Sequence, residues 1–117
     1  MDVLPAHAPA RPKAHKPRVF SGVQPTGAPH IGIYLGAVKQ WVAGQEMRDS
    51  VFCVVDLHAL TIPESVNPAE LRRRSRDIAA LYLAARLDPA KNIIFLQSQV
   101  HEHAELTWIL NCATPLG

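Results

Sequence analysis

The stretch that decides the fold is Val19-Phe-Ser-Gly-Val-Gln-Pro-Thr-Gly-Ala-Pro-His-Ile-Gly-Ile-Tyr-Leu-Gly36. Its first residues, Val19 to Ser21, predict a short strand, and a turn rich in glycine and proline follows. A His-x-Gly step then opens a helix that we predict from about Ile31 to Ala43. Glycines let a ligand approach the backbone, and a helix N-terminus offers free N–H groups to an anion. The layout therefore indicates a site for nucleotide phosphates.

Strands and helices alternate along the rest of the chain. Val51-Phe-Cys-Val-Val-Asp56 is a continuous apolar run of strand length, which is typical of a buried parallel strand. We predict a loop from Leu57 to Val66, a third strand from Asn92 to Gln97 and a third helix from Glu102 to Cys112. Strand–helix units in this order predict a parallel sheet with right-handed crossovers, hence a Rossmann-like α/β fold. The apolar side of the third helix is predicted to consist of Leu106, Ile109, Leu110 and Ala113.

The clearest helix signal follows Asn67, which suits the N-cap, with Pro68 at the first helical position and Glu70 at the third. Asp88-Pro89 is expected to end this helix. The arginines at positions 72, 73, 74 and 76 are interpreted as a solvated helix surface rather than an RNA-contact patch. The core-facing residues at helical spacing are Leu71, Ser75, Ile78, Tyr82 and Ala85.

Composition is that of an ordinary soluble domain: of the 117 residues, 48% are hydrophobic and 19% are charged. No apolar run approaches the roughly 20 residues needed to span a bilayer, which excludes an integral membrane protein. The net charge of +2 is too small to indicate a nucleic-acid partner by itself. Cys53 and Cys112 form neither a disulfide framework nor a metal-binding spacing, which favours a reducing, cytoplasmic compartment and no protein-bound metal.

The two ends of the chain differ from the middle. Residues 1–17 are predicted to be a disordered tail because four prolines interrupt them, and residues 18–117 form the domain. The tail lacks the apolar region of a signal peptide, and its lack of serine and of an amphipathic face argues against a transit peptide. At the other end, three strands leave a sheet edge unpaired, so we expect a polypeptide truncated after Gly117.

The turn alone indicates ATP only weakly, since it contains neither Gly-x-Gly-x-x-Gly nor Gly-Lys-Ser/Thr. Several motifs in order strengthen it. Phe20-Ser-Gly-Val-Gln-Pro-Thr-Gly27, then His30-Ile-Gly32 and Tyr34-Leu-Gly-Ala37, closely resemble the opening of bacterial tryptophanyl-tRNA synthetases, which are class I aminoacyl-tRNA synthetases. Phe52-Cys-Val-Val-Asp-Leu-His-Ala-Leu-Thr61 resembles the second strand of that family and its Asp-x-His-Ala-Leu/Ile-Thr motif. The resemblance extends over about residues 18–117 and implies an incomplete class I nucleotide-binding domain.

The resemblance implies two groups of site residues. The ATP site would include Gln24, Thr26, His30, Gly32 and Ile33, with His30 as the catalytic residue beside the phosphates. Ile33 stands where the family usually has Asn or His, so we expect weaker ATP binding than with asparagine there.

The tryptophan pocket would include Phe20, Gly22, Val55 and His58. Considered without the resemblance, Phe20 and Val55 fit core packing equally well, and His58 fits a loop histidine. Asp56 is interpreted as a helix or loop cap, with no catalytic role.

The implied reaction joins tryptophan to ATP, with Mg²⁺ helping, and gives tryptophanyl-adenylate and pyrophosphate before transfer to tRNA(Trp). Positioning and phosphate-charge stabilisation suffice for this chemistry. Family members are cytoplasmic homodimers, and the helix near Trp108 suits such an interface. The later Lys-Met-Ser-Lys-Ser-type loop is absent, so we expect little aminoacylation by this chain alone. Two alternatives stay open: a tyrosyl-tRNA synthetase relative, and a non-catalytic fragment that binds a nucleotide or a partner.

Overall fold

The computed structural model describes residues 15–62 and 67–115. Three parallel strands form one sheet in the order β1 (Arg18–Val23), β2 (Asp49–Val54) and β3 (Ile93–Leu96). Each strand is present as predicted, but its ends differ. The first is longer at both ends, the second ends at Val54 rather than Asp56, and the third is shorter at both ends. The parallel α/β sheet is thus confirmed.

Helices occupy the connections. Helix α1 covers residues 31–44 without a break: it is α-helical over Ile31–Ile33, π-helical over Tyr34–Val38 and α-helical again over Lys39–Gly44. The others are α2 (Asp56–Ala59), α3 (Pro68–Ala84) and α4 (Glu102–Ala113), with a 3₁₀ turn at Gln97–Gln99 before α4.

Helix α2 corrects the predicted loop, which was expected to begin at Leu57. A single helical turn is too short to give a periodic pattern. Its first residue is held by the neighbouring segment: the Asp56 carboxylate accepts the N–H of Ser98, in the 3₁₀ turn after β3, at 2.9 Å. Residues 63–66 of the predicted loop lie outside the described residues.

The core lies between one face of the sheet and helices α1 and α3. Trp41 of α1 stacks on Phe52 of β2 with ring centroids 4.6 Å apart, and Tyr82 of α3 meets Trp41 edge-on at 5.5 Å. The Tyr82 hydroxyl donates to the Cys53 carbonyl at 3.1 Å, and burial raises the pKa of this tyrosine. The buried cluster is completed by Val23, Val38, Val54, Ile78 and Leu87.

The opposite face of the sheet is apolar but largely open. Phe20, Val51 and Ile93 are aligned in register across the three strands. Phe20 is 67% exposed and Ile93 is 58% exposed. At the edge of this face, Phe95 stacks on His103 of α4 with centroids 5.9 Å apart.

Helix α3 begins as predicted, since Asn67 Oδ1 accepts the N–H groups of Ala69 and Glu70 at 3.0 and 3.2 Å. Three of its expected core residues are buried: Ser75, Ile78 and Tyr82. It ends at Ala84, before Asp88-Pro89.

Helix α4 also forms where expected, but the predicted apolar side, Leu106, Ile109, Leu110 and Ala113, is exposed. Helical periodicity shows which side of a helix is apolar, but it does not show which part of the chain covers that side.

Of the tail predicted over residues 1–17, the structure describes only residues 15–17. Residues 1–14 and 116–117 fall outside the described residues. The Pro17 carbonyl accepts the N–H of Asp49 at 3.0 Å, which extends the pairing of β1 with β2. Lys16 Nζ donates to the Glu46 carbonyl at 2.6 Å. The last residues before β1 therefore lie against the start of β2.

Candidate active site

The turn after β1 is held at three consecutive residues. Gln24 Nε2 donates to the His58 carbonyl of α2 at 3.1 Å. The ring of Pro25 is fully buried. The Thr26 carbonyl accepts from Arg74 Nη1 of α3 at 2.8 Å. This edge of the sheet is where ligands bind in open α/β folds, and here the turn is fixed before any ligand arrives.

His30 and Gly32 form one unit at the start of α1. The His30 backbone is extended, its side chain makes no capping bond, and its carbonyl accepts the N–H of Ile33 at 3.0 Å. A Cβ on Gly32 would lie 2.9 Å from His30 Nδ1 and 3.0 Å from His30 Cε1. Glycine at 32 thus makes room for the exposed imidazole. Gly27, by comparison, would meet nothing within 4 Å.

Ile33 is half-buried and packs against the hydrophobic core beneath the turn. Its role toward a nucleotide stays a prediction, but the packing gives this position a structural reason for an apolar side chain. An asparagine there would bring a polar amide against the core.

The four residues expected around tryptophan lie on β1 and just after β2. Val55 continues the pairing of the two strands by donating its N–H to the Val23 carbonyl at 3.0 Å. A Cβ on Gly22 would lie 2.7 Å from Val55 Cγ2 and would collide with the Cys53 carbonyl oxygen. Only glycine fits at position 22, where β1 lies close to Cys53 and Val55.

The sequence left open that Phe20 and Val55 are core residues, and neither belongs to the buried cluster. Phe20 is not a core residue, because it is mostly exposed, and its ring centroid lies 6.4 Å from that of Phe95. Val55 is half-buried and lies outside the buried cluster.

His58 connects the two groups of candidate residues. Its imidazole is exposed on α2, while its carbonyl accepts from Gln24 Nε2 and from Thr61 Oγ1, the latter at 2.8 Å. Its N–H donates to Gln97 Oε1 at 3.2 Å. A cleft of about 500 Å³ opens beside it, lined among others by Leu57, His58, Thr61, Gln97, His103 and Trp108.

Two residues that position this region were not singled out from the sequence. Gln97 ends the third predicted strand, and its side-chain oxygen accepts the N–H of His58 in α2. Arg74 was counted with a solvated helix surface, and this interpretation is wrong for it because its side chain is only 24% exposed. Arg72, Arg73 and Arg76 are exposed, as a solvated helix surface requires, and the choice against an RNA contact stays a prediction. The spacing of Glu70 and Arg74 predicts an ion pair, but no local signal predicts the bond to Thr26.

Three further properties of the described residues concern metal sites, membrane-spanning helices and a perturbed thiol. Residues 15–62 and 67–115 contain no group of three His, Cys, Asp or Glu side chains that could hold a metal ion. Nor do they contain a helix long and apolar enough to cross a membrane. Burial raises the pKa of the Cys53 thiol to about 11, and the charge of Asp56 adds to the rise.

Residues 12–117 match the family described as tRNA synthetases class I (W and Y). The chain belongs to this family. Within it, a tryptophan–tRNA ligase from Thermosynechococcus vestitus is 59% identical over 99 residues, which are 85% of this chain and 29% of that protein. The family predicted from the motifs is therefore confirmed.

Solved structures of class I synthetases agree with the fold. The tryptophanyl-tRNA synthetase from Campylobacter jejuni complexed with ADP and tryptophan gives a TM-score of 0.75 at 42% identity, over 84% of this chain and 30% of that one. The Mycoplasma pneumoniae tryptophanyl-tRNA synthetase gives 0.77 at 33% identity, over 86% of this chain and 30% of that one. The Rossmann-like class I fold is confirmed, and the chain spans about 30% of the length of these relatives.

Proposed function

We propose that the chain carries the first part of the ATP site and one wall of the tryptophan pocket of a tryptophan–tRNA ligase. The observation that carries the proposal is the 3.1 Å bond from Gln24 to the His58 carbonyl, because it joins the two candidate subsites at one sheet edge. The curated tryptophan–tRNA ligase at 59% identity supports the choice of amino acid.

In the ATP subsite, Gln24, Thr26 and Gly32 shape the turn, and His30 is the group that meets phosphate. Its imidazole is exposed and makes no capping bond, so a ring N–H is free to donate to a phosphate oxygen. Such a donor stabilises charge as the tryptophan carboxylate displaces pyrophosphate from the α-phosphate. Mg²⁺ would arrive on the phosphates of ATP, as is usual for this ion.

In the tryptophan subsite, Phe20 and Val55 flank Gly22 on the open face of β1 and β2. A planar indole packs well between aromatic and aliphatic walls, and the absence of a side chain at Gly22 lets it approach the backbone. His58 lies on α2, just after β2, and would close this side of the pocket. The tyrosine-specific alternative would place a phenol in the same space.

The complete ligase would transfer tryptophan to tRNA(Trp) in the cytoplasm and act as a homodimer. Exposed apolar side chains on α4 support a protein contact there, since Leu106, Trp108, Ile109 and Leu110 are each more than half exposed. In the non-catalytic alternative the same turn would bind a nucleotide without further reaction.

Titration of the ¹⁵N-labelled 117-residue chain followed by NMR tests the two subsites. We expect MgATP to shift amides in residues 24–33, and tryptophan to shift Phe20, Gly22, Val55 and His58. Phe20→Ala should abolish the tryptophan shifts. Ile93→Ala, on the same sheet face and similarly exposed, is the matched control and should leave them. Equal shifts with tyrosine would overturn the specificity, and MgATP shifts outside residues 24–33 would overturn the ATP subsite.

A further inference from the structure

We propose that Arg74 is a positioning residue for the ATP turn: it holds the Thr26 carbonyl so that the backbone of residues 26–30 stands ready for phosphate. This inference rests on the proposed ATP site. It concerns a residue on α3 that lies outside every motif used above, 48 positions along the chain from Thr26.

The Arg74 guanidinium is held by two hydrogen bonds, one to the turn and one to its own helix. Arg74 Nη1 donates to the Thr26 carbonyl at 2.8 Å, and Nη2 of the same guanidinium donates to Glu70 Oε1 at 2.6 Å. Glu70 is in turn fixed by the start of α3, where its N–H donates to the Asn67 side chain. A guanidinium can serve two acceptors from two nitrogens in one plane, which a lysine ammonium cannot do with the same geometry.

Burial separates Arg74 from the surface ion pairs around it. Its side chain is 24% exposed, whereas that of Arg73 is 65% exposed. Arg73 also pairs with Glu70, at 3.7 Å, and with Asp77, at 3.1 Å, and both of these partners lie on α3 rather than on the turn. Exposed pairs of this kind contribute little, while a partly buried charge-assisted bond to a carbonyl is stronger.

Arg74 acts on the turn where the other two restraints do not reach. Gln24 is held by its side chain and Pro25 by burial, so both fix the turn before Thr26. A Cβ at Gly27 would meet nothing within 4 Å, and the His30 side chain makes no capping bond. The bond to Thr26 thus restrains the turn ahead of His30, whose own carbonyl accepts the N–H of Ile33 at 3.0 Å. Without the bond to Thr26, ordering the turn falls to the ligand and weakens binding.

The test compares Arg74→Met with Arg73→Met in the 117-residue chain, since both remove one arginine and one ion pair with Glu70. We expect Arg74→Met to speed amide hydrogen exchange at residues 26, 27, 28 and 30 and to raise the MgATP dissociation constant about fivefold to tenfold, as for the loss of one such bond. Arg73→Met should change neither by more than about twofold. Arg74→Lys should recover part of the affinity. The thermal midpoints of the two Met variants serve to separate lost positioning from lost stability.

The outcomes separate this inference from the function on which it rests. Equal MgATP affinity and exchange in the two Met variants would overturn the role of Arg74 while the ATP site stands. Unchanged MgATP affinity together with faster amide exchange in Arg74→Met would also overturn it, because the Arg74–Thr26 bond would then order a turn that the ligand does not use. MgATP binding away from residues 24–33 in the unmodified chain would overturn the proposed ATP site and this inference with it.

Discussion

Two glycines of the first motif, Gly22 and Gly32, are required by the packing around them. Gly32 lies in the stretch that resembles the family, and the structure gives it a local cause: the His30 ring occupies the space that a side chain at 32 would need. Gly22 has a comparable cause in the close approach of β1 to Cys53 and Val55. Motifs of this kind record steric exclusions as well as ligand contacts.

Gly32→Ala should push the imidazole of His30 away from its position. We expect MgATP affinity to fall about tenfold, because a displaced donor no longer meets phosphate with good geometry. Gly27→Ala is the matched control in the same turn, since its added methyl group meets nothing. Titration by NMR measures both variants, and equal affinities would show that His30 does not depend on Gly32.

The two cysteines should differ in reactivity and in their effect on stability. At pH 8, Ellman's reagent should label the exposed Cys112 quickly and the buried Cys53 only on unfolding, because the thiolate is the reactive form. The Cys53 pKa is raised from 9.0 to about 11 on folding. Its contribution to stability is therefore complete below pH 9 and is lost as the pH rises towards 11. Fast labelling of both thiols in the folded chain would contradict this burial.

Ile33 shows how the structure changes a prediction made from the motif. Ile33→Asn should lower the free energy of unfolding by about 1–3 kcal/mol, because an amide would enter a packed apolar site. Urea denaturation measures this change, and MgATP titration of the same variant tests the gain in affinity expected from the family signature. A variant as stable as the unmodified chain would show that this position is not part of the packing.

At the level of elements, the ends of α3 illustrate both success and failure of local signals. The N-terminus was predictable because Asn67 caps the helix with its own side chain. The C-terminus was not, because Arg86 takes a positive φ of 74° where glycine is favoured. Two bonds close this end: Arg86 N–H to the Leu83 carbonyl and Leu87 N–H to the Tyr82 carbonyl. Tertiary packing of the buried Leu87 overrides the local preference.

Arg86→Gly should raise the free energy of unfolding by about 1 kcal/mol, since glycine adopts this conformation without steric cost. The residue's carbonyl bond from Gln45 does not need the side chain and should persist. Ala85→Gly, at the preceding position with a φ of −75°, should not stabilise the chain. Denaturant unfolding of both variants measures these free energies, and a destabilised Arg86→Gly would contradict the assigned backbone strain.

Strands were predictable as elements, and their ends and neighbours were not. The apolar run around Phe52 marks β2 because burial on both faces requires it. The end at Val54 depends on Asp56 entering α2 and bonding Ser98, a contact between distant segments. The candidate site follows the same division: its residues came from motifs, whereas the Gln24–His58 and Arg74–Thr26 bonds depend on the assembled fold.

At the scale of the whole molecule, apolar surface is distributed unevenly. One sheet face is packed by α1 and α3, while the other carries the exposed Phe20 and Ile93, and α4 has no buried residue. In relatives nearly three times as long, the match covers about 30% of the polypeptide.

Substituting the α4 surface should change association without changing stability. We expect Leu106→Lys with Ile109→Lys to leave the free energy of unfolding of the monomer within about 0.5 kcal/mol, because neither side chain is buried. If α4 forms the proposed dimer contact, sedimentation velocity should show a shift from dimer towards monomer. Strong destabilisation would mean that α4 packs more closely than the structure shows.

The most direct measurement of the central claim is pyrophosphate exchange into ATP by a Thermosynechococcus vestitus tryptophan–tRNA ligase in which residues 18–117 of this chain replace the aligned segment. We expect exchange that depends on tryptophan and not on tyrosine, and a loss of about 100-fold in His30→Ala, as for removal of a charge-stabilising donor. Exchange driven equally by tyrosine, or unaffected by His30→Ala, would contradict the account. So would an inactive but correctly folded chimera.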